Sequence, residues 1–272
     1  MNTDRFFELF FKELEDNKNL YPYYKLTEGN LKHQAFRKAY FQQRLRFIDE
    51  NIDKTKDNKI FDCGCGYGTT AIFLAMQGVS TYGVTLEFYY KELENRRKYW
   101  KEYGDTSLFE CKYDDLFDLQ LLDNSFDYII LQDTLHHLEP LKNSLELFYR
   151  ILKPKGKIIL VEENGNCLPQ VFKLYLQRGN KRVIDYYDEV LGKSLQMGNE
   201  NIRSQKAWKK LFEASGFSAK DDKTEYIRLF PPFLYNSSNS SNLIQRESRI
   251  AKSYPIIKEY VFFGLNMIFE KN

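Results

Sequence analysis

The sequence of 272 residues predicts an α/β fold in which a mostly parallel sheet carries helices on both faces. Two observations lead to this prediction. From about Lys59 onward, short runs rich in β-branched and aromatic residues alternate with stretches of helical periodicity. A glycine-rich segment at residues 64–68 follows the first of these runs, where an open parallel sheet places its ligand-binding turn.

The first part of the predicted fold contains five strands and the helices between them. The strands are expected at Lys59–Cys63, Thr81–Thr85, Leu108–Tyr113, Tyr128–Gln132 and Lys157–Glu162. Helices are expected to begin near Thr69, Glu87 and Leu141. The turn at residues 153–156, with the sequence Lys-Pro-Lys-Gly, is expected to end the third helix and to precede the fifth strand.

The alternation changes after Glu163. Two helices are expected there, at Val171–Leu195 and Ser204–Ser215, and Gly216 is a typical residue to follow the second one. The last two strands are expected at Phe217–Phe230 and Val261–Phe269. Pro231, Pro232 and a polar loop at residues 236–242 separate them.

Residues 1–57 are predicted to form an N-terminal helical cap or lid on a domain that spans residues 58–272. Near the start, apolar side chains recur at the spacing of a helix: Phe6, Phe7, Phe10, Phe11 and Leu14. Charged residues interrupt them, so this segment is not expected to be a signal peptide. Its polar face is acidic, which disfavours binding to a membrane surface. Residues from about 165 to 215 are predicted as a helical insertion that covers the ligand.

The composition excludes several classes of protein. With 40 Lys and Arg against 38 Asp and Glu, the net charge of +2 does not indicate a nucleic-acid-binding arm. No stretch approaches the roughly 20 apolar residues that membrane insertion requires. Four scattered cysteines indicate neither a disulfide framework nor a zinc site, so no metal is predicted and a cytoplasmic location is expected. The aromatic content, 16%, fits either a core or a pocket for an apolar ligand.

The glycine-rich segment reads Asp62-Cys63-Gly64-Cys65-Gly66-Tyr67-Gly68. A dinucleotide-binding turn needs a sixth-position glycine, where this chain has Thr69, and a Walker loop needs a lysine that is absent. An acidic residue at the end of the strand favours a ligand with a cationic amine or sulfonium over one with phosphates.

This segment resembles motif I of the class I S-adenosylmethionine-dependent methyltransferases. Further matches follow in order: Tyr82–Glu87, Tyr113–Asp115 and the stretches 126–138 and 152–157, which are similar to the ubiquinone/menaquinone-type branch. The resemblance covers roughly residues 59–163. It implies a Rossmann-like, doubly wound sheet of seven strands and S-adenosylmethionine as the cofactor. The motif Gly83-Val84-Thr85-Leu86 is similar to the cyclopropane fatty-acid synthase branch instead.

The resemblance also implies roles for single residues. Gly64, Cys65, Gly66 and Gly68 would surround the methionine moiety, with Asp62 near its amino group. Asp115 would accept a hydrogen bond from the adenine amino group, and the Leu116 amide would contact the ring. Leu131 and Gln132 would lie below the sulfonium. An alternative interpretation of Asp115 is a side chain that caps its own loop.

The ribose hydroxyls have two candidate partners. The family usually places a carboxylate at the end of the second strand, whereas this chain has Thr85 there and Glu87 two residues later. Glu87 could reach the ribose, or it could be a helix N-terminal charge favoured by the helix dipole.

Two adjacent histidines, His136 and His137, follow the fourth strand, where an acceptor would meet the methyl group. A neutral imidazole there could take a proton during catalysis, or it could serve only as a buried structural group. Residues 162–164, at the end of the fifth strand, are expected near the same mouth. Residues 21–24 carry three tyrosines that could form a lid by cation–π contact or pack on the sheet edge.

We therefore expect methyl transfer from S-adenosylmethionine to a small-molecule acceptor, at oxygen or carbon, with no nucleic-acid partner. Aromatic residues concentrate outside the cofactor-binding part, at residues 6–11, 21–24, 172–187 and 230–235, which favours an apolar or aromatic acceptor. A lipid- or polyene-modifying enzyme and a non-catalytic S-adenosylmethionine-binding module are the alternatives. A nicotinamide oxidoreductase is disfavoured by Thr69. The sequence does not predict an oligomeric state.

Overall fold

The computed structural model describes residues 1–26, 29–87 and 90–272 of the chain. Its helices are α1 (Thr3–Asp16), α2 (Leu31–Glu50), α3 (Thr69–Ala75), α4 (Glu92–Trp100), α5 (Leu141–Ile151), α6 (Leu168–Arg178), α7 (Gln205–Ala214), α8 (Ser240–Ser253) and α9 (Pro255–Val261). Its strands are β1 (Lys59–Cys63), β2 (Ser80–Thr85), β3 (Phe109–Tyr113), β4 (Phe126–Gln132), β5 (Leu152–Glu163), β6 (Val183–Asp188), β7 (Lys193–Gly198), β8 (Phe217–Ala219), β9 (Glu225–Ile227) and β10 (Gly264–Lys271).

The main sheet has the order β3-β2-β1-β4-β5-β10-β8, and β9 also pairs with β10. Strands β1 to β5 pair in parallel, whereas β10 runs antiparallel to β5, β8 and β9. The chain order reverses between β1 and β4, so the loops after these two strands open a crevice at one edge of the sheet. The expected Rossmann-like sheet is thus confirmed, with β8 and β9 sharing its seventh position.

Alternate residues of the central strands pack into two different cores. Ile60 of β1 and Ile130 of β4 face a core that includes α1, α3 and Trp100. Phe61 and Leu131 face the opposite core, which includes α5 and α7. This period of two explains why the strands read as nearly continuous apolar runs, since both faces of the sheet are buried.

The N-terminal segment is packed rather than detached. Phe6 of α1 stacks on Trp100 with ring centroids 4.5 Å apart and meets the ring of Phe73 at 5.1 Å. Glu13, also on α1, accepts two hydrogen bonds of 2.8 Å from the buried guanidinium of Arg96. The two helices at the start of the chain therefore belong to the same core as the sheet.

The predicted helix Val171–Leu195 is wrong over its second half. Helix α6 ends at Arg178, Gly179 follows with a φ of +57°, and β6 and β7 form an antiparallel hairpin. The cause is local, because Val183, Ile184 and two tyrosines favour a strand and Gly192 permits the turn. The covering insertion is therefore a helix and a hairpin, followed by α7.

The C-terminal part also differs from expectation. The predicted strand Phe217–Phe230 is interrupted at residues 221–223 by a short 3₁₀ turn, which leaves β8 and β9. Helix α8 begins inside the polar stretch at Ser240, and α9 extends to Val261, so the last strand starts only at Gly264. The helix expected near Glu87 begins at Glu92, and residues 88–89 lie outside the described part of the chain. Among the described residues, none of the helices has the length and apolar character that crossing a bilayer requires.

Candidate active site

The turn after β1 depends on glycine for both its conformation and its space. Gly64 and Gly66 have φ values of +76° and +54°, a left-handed region that other residues rarely adopt. A Cβ atom at Gly66 would overlap the Tyr23 hydroxyl, and one at Gly64 would overlap the Thr134 side chain. The glycines therefore let Tyr23 and Thr134 pack directly against the backbone of this turn.

Asp62 brings a carboxyl group to the end of β1 beneath this turn. The side chain is buried, with 2% of the residue exposed, and burial raises its pKa to about 7. A buried carboxylate is stabilised by a cation beside it. Asp62 is thus suited to a ligand with a positively charged amine.

The loop after β2 positions a second carboxyl group. The Thr85 hydroxyl accepts a hydrogen bond of 3.1 Å from the Glu87 backbone N–H, which links the two residues within the loop and leaves the hydroxyl hydrogen free to donate. Burial raises the pKa of Glu87. Because α4 begins only at Glu92, Glu87 is not in the first turn of that helix, and the helix-dipole alternative is wrong.

The loop after β3 holds Asp115 in a network of its own. One carboxylate oxygen accepts from the Phe117 N–H at 3.2 Å, as the loop-capping alternative expected. The other accepts from Lys193 Nζ at 2.6 Å, which joins the loop to β7. Each oxygen retains a second lone pair, so Asp115 can still accept from a ligand.

One cavity of about 1110 Å³ connects these loops. Its walls include most of the residues that the sequence singled out: Asp62, Gly64, Cys65, Gly66, Thr85, Glu87, Asp115, Leu116, Gln132 and His137. Gly68, Leu131 and His136 are not part of its walls. Leu131 is fully buried in the core that contains α5 and α7, and Gly68 is the N-cap residue of α3 in a left-handed conformation. Neither residue therefore faces the cavity.

The two histidines have different surroundings. His136 is buried, and its Nδ1 forms a very short hydrogen bond with the Glu162 carboxylate. Burial acts to lower the pKa of His136, but Glu162 outweighs burial and raises that pKa to about 9. His137 is part of the cavity wall, and its Nδ1 donates to the Gly198 carbonyl at 3.0 Å. Burial and the neighbouring His136 lower the pKa of His137.

Charged residues that the sequence analysis did not single out complete this end of the cavity. Arg44 of α2 forms an ion pair of 2.6 Å with Asp133, which follows β4 with a φ of +52°. Arg228 lies 3.5 Å from the Glu163 carboxylate. Glu200, after β7, lies 3.6 Å from His136 Nε2. Arg44 lies among apolar residues of α2, and a charged residue in such a position is a sequence signal for a buried ion pair. The sequence contains no such signal for Arg228 and Glu200, whose positions depend on the tertiary fold.

The aromatic side chains of α6 and the hairpin do not cover the cavity, which corrects the expectation for residues 172–187. Phe172, Tyr175 and Tyr187 are 65, 58 and 60% exposed. The cavity is lined instead by the other face of α6: Gln170, Lys173, Leu174 and Gln177. Helix α6 therefore presents polar groups inward and rings outward.

Two groups of residues could hold a non-protein ligand. The glycine turn, Asp62 and Glu87 lie together in the wall of the cavity and bring two carboxyl groups to it. Among the described residues, His136, His137 and Glu200 bring three potential metal-ligand atoms within 4.8 Å of one another.

Comparison with known proteins agrees with this geometry. Residues 61–160 match the family model described as a methyltransferase domain. The demethylmenaquinone methyltransferase of Staphylococcus aureus is 28% identical over 180 residues, which cover 62% of this chain and 72% of that protein.

Two solved structures share the fold. A SAM-dependent methyltransferase from Methanosarcina mazei has a TM-score of 0.54 at 20% identity, over 82% of this chain and 96% of that one. Phosphoethanolamine N-methyltransferase 2 from Haemonchus contortus, solved in complex with S-adenosyl-L-methionine, has a TM-score of 0.55 at 18% identity, over 85% of this chain and 52% of that one.

Proposed function

Because this chain is a class I S-adenosylmethionine-dependent methyltransferase, we propose that it methylates an oxygen or carbon atom of a small molecule with an aromatic or apolar body. The observation that carries this proposal is one continuous cavity. It runs from the glycine turn and Asp62, at one end, to His137 and Glu163 at the other, so a cofactor and an acceptor can lie side by side in it.

The residues at the first end fit the cofactor. We assign Asp62 to the amino group of the methionine moiety, Glu87 to the ribose hydroxyls and Asp115 to the adenine amino group. The Leu116 amide would contact the adenine ring, and the backbone at Gly66 would lie against the methionine chain. When bound, S-adenosylmethionine supplies a methyl group on a cationic sulfur, which keeps the carbon–sulfur electron pair as the methyl bonds to the acceptor.

The other end of the cavity supports an acceptor with a mixed surface. Phe36, Tyr40, Leu195 and Met197 provide apolar wall, whereas His137, Glu163 and Arg228 provide polar groups. A ring or hydrocarbon body with at least one oxygen matches both. Holding such a nucleophile in line with the methyl group can supply on the order of 7–11 kcal/mol of the barrier reduction.

We propose that His137 is the histidine that meets the acceptor and that His136 acts behind it. The Gly198 carbonyl can only accept, so His137 Nδ1 carries the hydrogen and Nε2 keeps its lone pair. A lone pair at that place can take a proton from the acceptor or bind a cation.

The first test is binding and turnover. Calorimetry with S-adenosylhomocysteine, the demethylated product, is expected to give one site per chain. Methyl transfer from S-adenosylmethionine is then measured by mass spectrometry against demethylmenaquinone, the compound that the Staphylococcus aureus relative's name specifies, and against simple phenols and primary amines. Methylation of amines alone would contradict the proposed acceptor class, and failure to bind S-adenosylhomocysteine would contradict the cofactor assignment.

A further inference from the structure

We propose that His136, His137 and Glu200 bind a divalent transition-metal ion at the acceptor end of the cavity. Their ligand atoms, two imidazole nitrogens and one carboxylate oxygen, all lie within 4.8 Å of one another. The spacing of the cysteines predicts no metal site, and this site uses none of the cysteines. Two histidines and a glutamate form a known catalytic zinc set, and two histidines with a carboxylate also bind Fe²⁺.

The orientation of both imidazoles fits ligation. His136 Nδ1 is bound to the Glu162 carboxylate, and His137 Nδ1 donates to the Gly198 carbonyl at 3.0 Å. A metal-bound histidine almost always uses its second nitrogen in this way, on a carboxylate or a backbone carbonyl. The two Nε2 atoms that remain are the ones nearest to Glu200.

The distances at Glu200 are too long for hydrogen bonds and close to those between ligands of one ion. His136 Nε2 lies 3.6 Å from Oε2 of Glu200, and His137 Nε2 lies 3.9 Å from Oε1. Metal–ligand bonds of about 2.0–2.2 Å place neighbouring ligand atoms roughly 3.0–3.5 Å apart. Small side-chain rotations therefore suffice to close the site around an ion.

The backbone holds Glu200 in place opposite the histidines. The Asn201 N–H donates to the His136 carbonyl at 3.1 Å, and Leu138 forms an isolated bridge with Met197. Glu200 itself has a φ of +56°, a strained conformation for a residue with a side chain. Such strain persists only where surrounding contacts enforce it, and it is concentrated at functional sites.

The charges around the cluster also favour a cation. Besides Glu200, three carboxylates surround the histidine pair, and two arginines offset part of their charge: Asp133, Glu162, Glu163, Arg44 and Arg228. Two nitrogen ligands make this a site for zinc, iron(II) or cobalt(II) rather than for calcium, magnesium or manganese, which prefer oxygen ligands.

The site also narrows the acceptor class, and this step rests on the proposed function. His137 and Glu200 are part of the cavity wall, whereas His136 lies behind it, so the open coordination positions face the acceptor. A hydroxyl or enol oxygen bound there would lose its proton to solvent more easily, because a metal ion lowers the pKa of a coordinated oxygen. The acceptor would then be an oxygen-bearing molecule that coordinates through the oxygen next to, or at, the methylated atom.

The test uses the full chain without a polyhistidine tag, stripped with a chelator and titrated with Co²⁺ alone. We expect one Co²⁺ per chain, with the visible d–d absorption bands of nitrogen and oxygen ligands and without the near-ultraviolet charge-transfer bands that cysteine ligands give. Glu200→Gln keeps the shape of the side chain and is expected to weaken Co²⁺ binding at least tenfold, as competition with a fluorescent chelator would measure. Glu189→Gln changes an exposed carboxylate in the turn between β6 and β7 and is the matched control.

Absence of Co²⁺ binding, or equal binding by the wild type and Glu200→Gln, would overturn the metal site and leave His136 as a protonated partner of Glu162 and Glu200. Calorimetry with S-adenosylhomocysteine separates this result from failure of the proposed function. Glu200→Gln is expected to bind S-adenosylhomocysteine as the wild type does, because Glu200 lies outside the cofactor end of the cavity.

Discussion

Lowering the pH from about 8 to about 6 is expected to weaken the binding of S-adenosylhomocysteine about tenfold through Asp62 alone. Burial raises the pKa of this carboxyl to about 7 in the ligand-free protein. Only the ionised form pairs with the ammonium group of the ligand, so affinity is present above this pKa and is lost as the pH falls through it. About one molecule in eleven carries an ionised Asp62 one unit below the pKa, and about ten in eleven one unit above it.

The assay is calorimetry at several pH values, each in two buffers with different ionisation enthalpies. Because the ammonium group lowers the pKa of Asp62 when it binds, complex formation near neutral pH is expected to release a fraction of a proton. Asp62→Asn cannot ionise. It is expected to bind more weakly than the wild type at pH 8 and to lose this proton release, whereas any pH dependence that remains would report on Glu87.

An affinity of the wild type that is the same at both pH values, with no proton released, would refute the assignment of Asp62 to the amino group. A pH dependence that Asp62→Asn retains in full would refute it equally, since the titrating group would then lie elsewhere.

Three further outcomes are expected. Gly66→Val should abolish S-adenosylhomocysteine binding in calorimetry, because a side chain at this position overlaps Tyr23. Gly78→Ala is the control and should bind normally, because a Cβ atom there meets nothing within 4 Å. Equal binding by both variants would contradict the role of the glycine turn. Glu87→Gln should weaken the same binding by about 1.5–3 kcal/mol if its charge holds the ribose hydroxyls, with an unchanged urea midpoint. Glu13→Gln should lower the free energy of unfolding, measured in urea, by about 3–5 kcal/mol, because it leaves the buried guanidinium of Arg96 without its charged partner. A loss below about 1 kcal/mol would show that the Glu13–Arg96 pair is not important for stability.

The strands and the ligand turn were predictable because their signals are local. The bounds of β1 are those predicted, and the bounds of β2 to β4 differ from the prediction by at most two residues. These strands were predictable because buried parallel strands are apolar on both faces and turn residues separate them. The glycine turn needs left-handed residues at fixed places, and this requirement is visible in the sequence as glycine.

Other features depend on tertiary contacts that cannot be predicted from local sequence patterns. Helix α6 has apolar residues at helical spacing, but spacing alone cannot tell which face turns inward, and its rings lie outside. The prediction of helix over the following hairpin is wrong for a different reason: its residues favour a strand locally, but an apolar run this short does not distinguish strand from helix by periodicity. Glu200 lies near the histidines, and Arg44 near Asp133, only through the packing of distant elements, so neither contact could be predicted.

The packing of α1 has a consequence for synthesis of the chain. Phe6 and Glu13 have partners on α4, and Arg96 follows Glu13 by 83 residues. At roughly 5–20 residues per second, α1 therefore waits about 4–17 s before these partners on α4 are made. Although α1 is made first, it reaches its complete set of native contacts only after α4 has been synthesised.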